Sequence, residues 1–191
     1  MKIGLFFGSF NPIHIGHMTI AQYIVEHTSL DKIWLVVSPQ NPFKEKSSLL
    51  AQNHRLSMVQ LATDNDVKLE ASNIEFSLPT PSYTIDTLTY TKEKYPQHDF
   101  SIIMGADNLL HFHKWKNYKQ ILNHHEIFVY PRPKTQDSDF SKLDNVHLVD
   151  APIIEISSQF IRKSIKTKKD IRYFLPKNVW EYIDEMNFYK S

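Results

Sequence analysis

The strongest constraint on this chain lies in residues 2–17, KIGLFFGSFNPIHIGH. Ile3 to Phe7 is an apolar run of strand length, rich in Ile and Phe. It breaks at Gly8-Ser9, passes the turn-prone Asn11-Pro12, and re-enters an apolar-periodic segment carrying His14, Gly16 and His17. Strand, small-residue turn and helix is the way α/β proteins aim backbone N–H groups at a phosphate. His14 and His17, three positions apart, share one face of a helical turn. Two imidazoles beside a helix N-terminus can donate to phosphate oxygens, and each adds charge when protonated. Gly16 between them leaves room for a ligand or another backbone to approach.

The periodicity of Met18 to Glu26 predicts a helix stopping near Thr28-Ser29, and Lys32–Ser38 reads as a second buried strand. Strand, helix, strand within about forty residues is a βαβ unit, which implies a parallel sheet with a right-handed crossover. Leu49–Asp64 follows as an amphipathic helix with Leu56, Val59, Leu61 and Ala62 on its core face. Short strands are expected at 67–70 and 74–76, then a helix capped by Ser82 and running to about Tyr95. A strand over 99–104 turns at Gly105-Ala106-Asp107 into a short helix, with another helix over 116–124 and a strand over 126–130. The last strand material is expected at 146–149 and 153–156, with a helix from Ser157-Ser158 to about Ile165 and a closing helix over 179–186. The pattern is α/β, a mostly parallel sheet with helices on both faces.

At 191 residues, 41% hydrophobic and 23% charged, the chain has the make-up of one globular domain with a sizeable core. A net charge of +1 advertises no nucleic-acid partner. The absence of cysteine excludes disulfides, thiolate metal sites and a Cys nucleophile. Without a cleavable apolar leader or a run of membrane-spanning length, the expected compartment is the cytoplasm and no membrane partner is expected. His111-x-His113 and His124-His125 invite a metal reading. H-x-H on a helix places its side chains on different faces, however, and no Cys or carboxylate cluster completes a site. No protein-held metal is therefore expected. Neither a G-x-x-x-x-G-K-[ST] loop nor a G-x-G-x-x-G turn is present.

Residues 156–165, ISSQFIRKSI, form a second constellation. A Ser-Ser pair before a helix supplies a cap and hydroxyl donors beside unpaired N–H groups. Arg162, four residues in, could reach a polyphosphate at the helix mouth. With the first stretch, this resembles the nucleotidyltransferase superfamily that shares its HIGH motif, here His14-Ile15-Gly16-His17, with class I aminoacyl-tRNA synthetases. Ile156-Ser157-Ser158 through Arg162 is similar to the superfamily's late I-S-S-T-x-I-R motif, the counterpart of the KMSKS loop, with Gln159 replacing the usual Thr. Asn11 stands where many relatives have Asp. Asn41-Pro42-Phe43-Lys44 is similar to the N-x-P-H-K loop, with Phe43 for His. Pro81-Ser82-Tyr83-Thr84 with Thr87-Leu88 resembles the P-S-Y-T-x-x-T-L element of nicotinate mononucleotide adenylyltransferases. Gly105-Ala106-Asp107 with Trp115 and Ile121 resembles their G-x-D…W…I segment. Arg132, before Pro133, matches their R-P, and Phe174-Leu175-Pro176 with Val179 and Tyr182-Ile183 resembles their C-terminal end.

The resemblance runs the length of the chain and implies a single Rossmann-like nucleotidyltransferase domain over residues 1–191. It implies transfer of the adenylyl group of ATP to nicotinate mononucleotide in NAD biosynthesis, with Mg²⁺ accompanying ATP. It assigns His14, His17, Lys44 and Arg162 to catalysis. Gly8, Ser9, Phe10, His17, Gly105, Asp107, Ser157, Ser158 and Arg162 would bind ATP. Thr84, Trp115 and Arg132 would bind the mononucleotide, the indole stacking on the nicotinate ring. A homo-oligomer is left open. The competing readings are a relative that uses nicotinamide mononucleotide or phosphopantetheine, and a non-catalytic nucleotide sensor.

Overall fold

The computed structural model describes residues 1–39, 49–136 and 138–190. Its elements follow the predicted order: β1 (Lys2–Gly8), α1 (Ile15–His27), β2 (Lys32–Val37), α2 (Gln52–Ala62), β3 (Leu69–Ser72), α3 (Thr84–Lys94), β4 (Asp99–Gly105), α4 (Ala106–Leu110), α5 (Tyr118–His124), β5 (Ile127–Tyr130), β6 (Val146–Leu148), α6 (Ser158–Lys166) and α7 (Lys177–Glu185). Among the described residues the strands form one six-stranded sheet, ordered β3-β2-β1-β4-β5-β6, with every neighbouring pair parallel. The strand order reverses between β1 and β4, and open α/β sheets bind ligands outside the strand C-termini at such a reversal.

Period-two alternation sorts the strand side chains onto two faces. Phe6, Ile33, Leu35, Val37, Ile103 and Phe128 meet α1, α2, α6 and α7 through Ile24, Val59, Ile161 and Val179. Ile3, Leu5, Trp34, Val36, Ile102 and Val129 meet α3, α4 and α5 through Leu88, Leu109 and Ile121. Both faces are thus covered by helices, as a parallel sheet requires. No helix among the described residues is long and apolar enough to cross a membrane.

Four expectations change. Ile74–Ser77 is a short 3-10 helix, not a strand, and it turns Glu75 inward to accept the hydroxyls of Ser82 and Thr87 at 2.9 and 2.8 Å. With Ser82 engaged there, the cap of α3 falls to Tyr83. Residues 153–156 join no strand ladder. Ile154 instead reaches the first turn of α1, where it lies against Gly16. The core face of α2 is rotated as well: Arg55, Met58 and Val59 are its buried residues, while Leu56, Leu61 and Ala62 are only partly buried.

Candidate active site

The turn between β1 and α1 is tightly filled. Phe10 adopts a left-handed backbone (φ 43°), an unfavourable conformation for an aromatic residue, and its ring lies over Gly8, where a Cβ would sit 2.6 Å from it. Only glycine fits beneath that ring. Phe10 is 2% exposed, so its ring packs the turn from within rather than facing a nucleotide. The same ring makes an edge contact with His17 at 5.1 Å. His14 precedes the helix and His17 occupies its first turn, and their rings stack with centroids 3.7 Å apart. Gly16 makes room for the His14 ring itself, since a Cβ there would lie 3.0 Å from Nδ1.

His17 Nδ1 accepts the backbone N–H of His14 at 3.3 Å, which leaves the proton of the neutral ring on Nε2 as a donor. His14 is 3% exposed. Burial, and then the charge of Arg132, lower its pKa to about 4. His14 is therefore neutral at pH 7, a donor or acceptor without the extra charge that protonation would add. Its Nδ1 and the Ser9 hydroxyl are shut off from solvent with no hydrogen-bond partner, which in a native fold calls for an explanation such as a ligand.

The late helix is joined to this turn. Ser157 caps α6 by accepting the Phe160 N–H at 3.1 Å. The Ser158 hydroxyl donates to the Pro12 carbonyl at 2.8 Å, and Arg162 Nη1 to the Asn11 carbonyl at 2.7 Å. The two motifs therefore meet across almost the whole chain. Arg55, which the sequence did not single out, completes the frame. It is 1% exposed and donates to the carbonyls of Ser9, Ser38, Pro39 and Leu50 at 2.6–3.0 Å. It thereby ties the turn after β1 to the segment after β2. The one available signal was an arginine three and four positions before the buried Met58 and Val59. Lys44 and its Asn41-Pro42-Phe43 loop lie outside the described residues.

Beside the turn, a cleft of about 160 Å³ opens at the C-terminal ends of β1 and β4. Phe6, Phe7, Met104 and Gly105 form its floor, and Glu75, Thr84, Asn108, Trp115 and Tyr130 are among its walls. Thr84 opens α3, and half-buried Trp115 packs against Phe112 with ring centroids 5.2 Å apart. Phe6 links the two halves, its ring 5.7 Å from Tyr130 and 6.2 Å from His17. Thr84 and Trp115 are thus brought together as expected. Arg132 is not in the cleft lining: its Nε pairs with Asp107 at 3.5 Å, and its charge is felt at His14.

The chain resembles known proteins along its whole length. The cytidylyltransferase-like family model matches residues 5–164. The chain is 55% identical over 193 aligned positions to a "probable nicotinate-nucleotide adenylyltransferase" of Flavobacterium johnsoniae, covering all of both chains. It is 56% identical to the protein of the same description from Christiangramia forsetii, over 99% of this chain and 98% of that one. The fold superposes with a TM-score of 0.82 on the Plasmodium falciparum nicotinic acid mononucleotide adenylyltransferase complexed with NaAD, at 23% identity over 98% of this chain and 97% of that chain. With its two phosphate-type motifs meeting beside an aromatic cleft, and relatives this similar from end to end, the chain belongs to the nicotinate-nucleotide adenylyltransferase family within the cytidylyltransferase-like proteins.

Proposed function

We propose that the chain joins ATP to nicotinate mononucleotide over the C-terminal ends of β1 and β4, giving nicotinate adenine dinucleotide and pyrophosphate. The observation that carries this is the adjacency of two unlike half-sites. One is a turn with buried, unpartnered Ser9 and His14 atoms beside a helix N-terminus. The other is an aromatic cleft with Thr84 and Trp115. The first suits a triphosphate, the second a flat pyridine ring. That both core clusters share one sheet supports a single catalytic domain.

The mononucleotide's phosphate oxygen attacks the α-phosphorus of ATP in line. The bond from that phosphorus to the bridging oxygen breaks, and its electrons leave with pyrophosphate. A phosphate is already ionised at neutral pH, so no general base or covalent intermediate is needed. Catalysis rests on placement and on receiving charge that moves toward the leaving group. His17 donates through Nε2 and His14 acts as a neutral imidazole, while Ser158 and Arg162 hold the turn that presents Gly8, Ser9 and Phe10. The Asp107 carboxylate at the end of β4 is placed to receive the adenosine ribose, with Gly105 beside it, and Arg132 compensates the carboxylate's charge. Lys44 would add a cation to the triphosphate. Mg²⁺ would travel with ATP: no three His, Asp or Glu side chains group into a metal site among the described residues, and the polyphosphate supplies hard oxygen ligands of its own. It would neutralise phosphate charge there.

The test is pyrophosphate release with ATP and Mg²⁺, comparing nicotinate mononucleotide, nicotinamide mononucleotide and phosphopantetheine. Turnover mainly with the first is expected. Turnover confined to phosphopantetheine would move the chain to another substrate within the same fold, and ATP binding without turnover would make it a sensor.

A further inference from the structure

Hydrogen bonds converge on residues 9–12 to an unusual degree. Three of the four carbonyls in that stretch are capped by side chains: Ser9 by Arg55, Asn11 by Arg162 and Pro12 by Ser158. The Asn11 carboxamide is held too. It is 3% exposed, and its Oδ1 accepts both the Leu50 N–H at 3.3 Å and the Tyr189 hydroxyl at 2.7 Å. Two donors on one oxygen fix which way the amide faces.

Tyr189 lies beyond the end of α7, 178 positions from Asn11. Two of the three residues 187–189 take left-handed backbone conformations, Asn187 (φ 56°) and Tyr189 (φ 64°), which a chain adopts at a cost unless surrounding contacts hold it there. Those contacts are present. The Phe188 ring sits 4.8 Å from His54 and 5.8 Å from Tyr182, and His54 Nδ1 lies 2.9 Å from the Tyr182 hydroxyl. The segment after α7 is thus fastened to α2, the helix that also carries Arg55, and its phenol is delivered to the phosphate-type turn.

We infer that Tyr189 is a positioning residue for the reaction: through Asn11 it sets the turn that receives the triphosphate. The inference rests on the function proposed above. It separates Tyr189 from an ordinary packing residue, because the hydroxyl touches the turn while the ring could pack without it. It also makes the two substrates unequal, since the cleft lining contains neither Asn11 nor Tyr189.

Tyr189→Phe keeps the ring and removes only the donor. Steady-state rates with each substrate varied in turn should show KM for ATP raised about threefold to tenfold, the range expected for losing one hydrogen bond. KM for nicotinate mononucleotide should stay within about twofold and the melting temperature within about 2 °C. In an Asn11→Ala background the same substitution should add nothing further, because the effect runs through Asn11. Unchanged KM for ATP, an equal loss for both substrates accompanied by a lower melting temperature, or additive effects in the double variant would each overturn the proposal. Direct titration of wild type and Tyr189→Phe with ATP alone gives a second reading should Asn11→Ala not fold. If the wild type binds ATP but transfers nothing, the proposed function falls, while the titration still decides the role of Tyr189.

Discussion

The turn at residues 9–12 accepts hydrogen bonds from Leu50, Arg55, Ser158, Arg162 and Tyr189, partners 39 to 178 positions distant. In the cleft, by contrast, Glu75 is held by Ser82 and Thr87, seven and twelve positions away. Electrostatics divide the two regions in the same way. Two guanidiniums press on carbonyls of the turn, whereas Lys116 at the cleft is matched by Asp86 at 2.8 Å and lies 4.8 Å from the Tyr83 ring. A site assembled from distant segments exists only when the whole fold is in place, since each long-range contact carries its own loop-closure cost. A site assembled locally depends less on the rest of the molecule. The turn on the phosphate side therefore reports on global integrity more directly than the Glu75 wall of the cleft does.

The largest effect should come from the phosphate side. If His17 donates to the leaving pyrophosphate as proposed, His17→Ala should lower turnover at saturating substrates about 10²–10³-fold, as for loss of one oxyanion donor. KM for nicotinate mononucleotide should change little, because His17 does not line the cleft. Near-normal turnover would mean that the charge moves elsewhere and that the two regions have been assigned the wrong tasks.

A smaller effect separates the regions by pH without any substrate. His14, stacked on His17 and facing the charge of Arg132, has its pKa lowered from 6.5 to about 4 in the fold. Between those values the unfolded chain binds a proton that the folded chain refuses. This contribution to stability is therefore complete above about pH 6.5, declines as pH falls, and levels off below about pH 4, a span on the order of 3 kcal/mol. Denaturant unfolding of wild type and His14→Gln at several pH values should show the wild type losing that extra stability between pH 7 and 4. Parallel curves would show that His14 is not held neutral.

What the sequence revealed follows the same division. Gly8, His14, Gly16 and His17, and the group from Ser157 to Arg162, are legible because residue type and spacing together limit what a strand–turn–helix can hold. Thr84 and Trp115 are picked out only by the resemblance of their segments to those of the family. Arg55 is not, since its partners are backbone carbonyls, which have no residue signature. An arginine also reads as solvent-facing, which rotated the expected core of α2 toward Leu56 and Leu61. Tyr189 is hidden by distance, as its contact with Asn11 depends on the completed fold. The neutrality of His14 is a matter of burial, and burial emerges only in the folded turn.

A smaller effect than that of His17 belongs to the cleft. Trp115→Ala leaves the distant frame of the turn intact and removes an aromatic wall, and stacking on such a wall is worth about 1–3 kcal/mol. KM for nicotinate mononucleotide should rise about tenfold or more, while kcat at saturation stays within about threefold and KM for ATP is nearly unchanged. Trp115→Phe should recover most of the loss, because a smaller ring still offers a face against Phe112. A rise in KM for ATP instead would place the adenine in the cleft and the pyridine outside it. The same two regions would then remain, with their ligands exchanged.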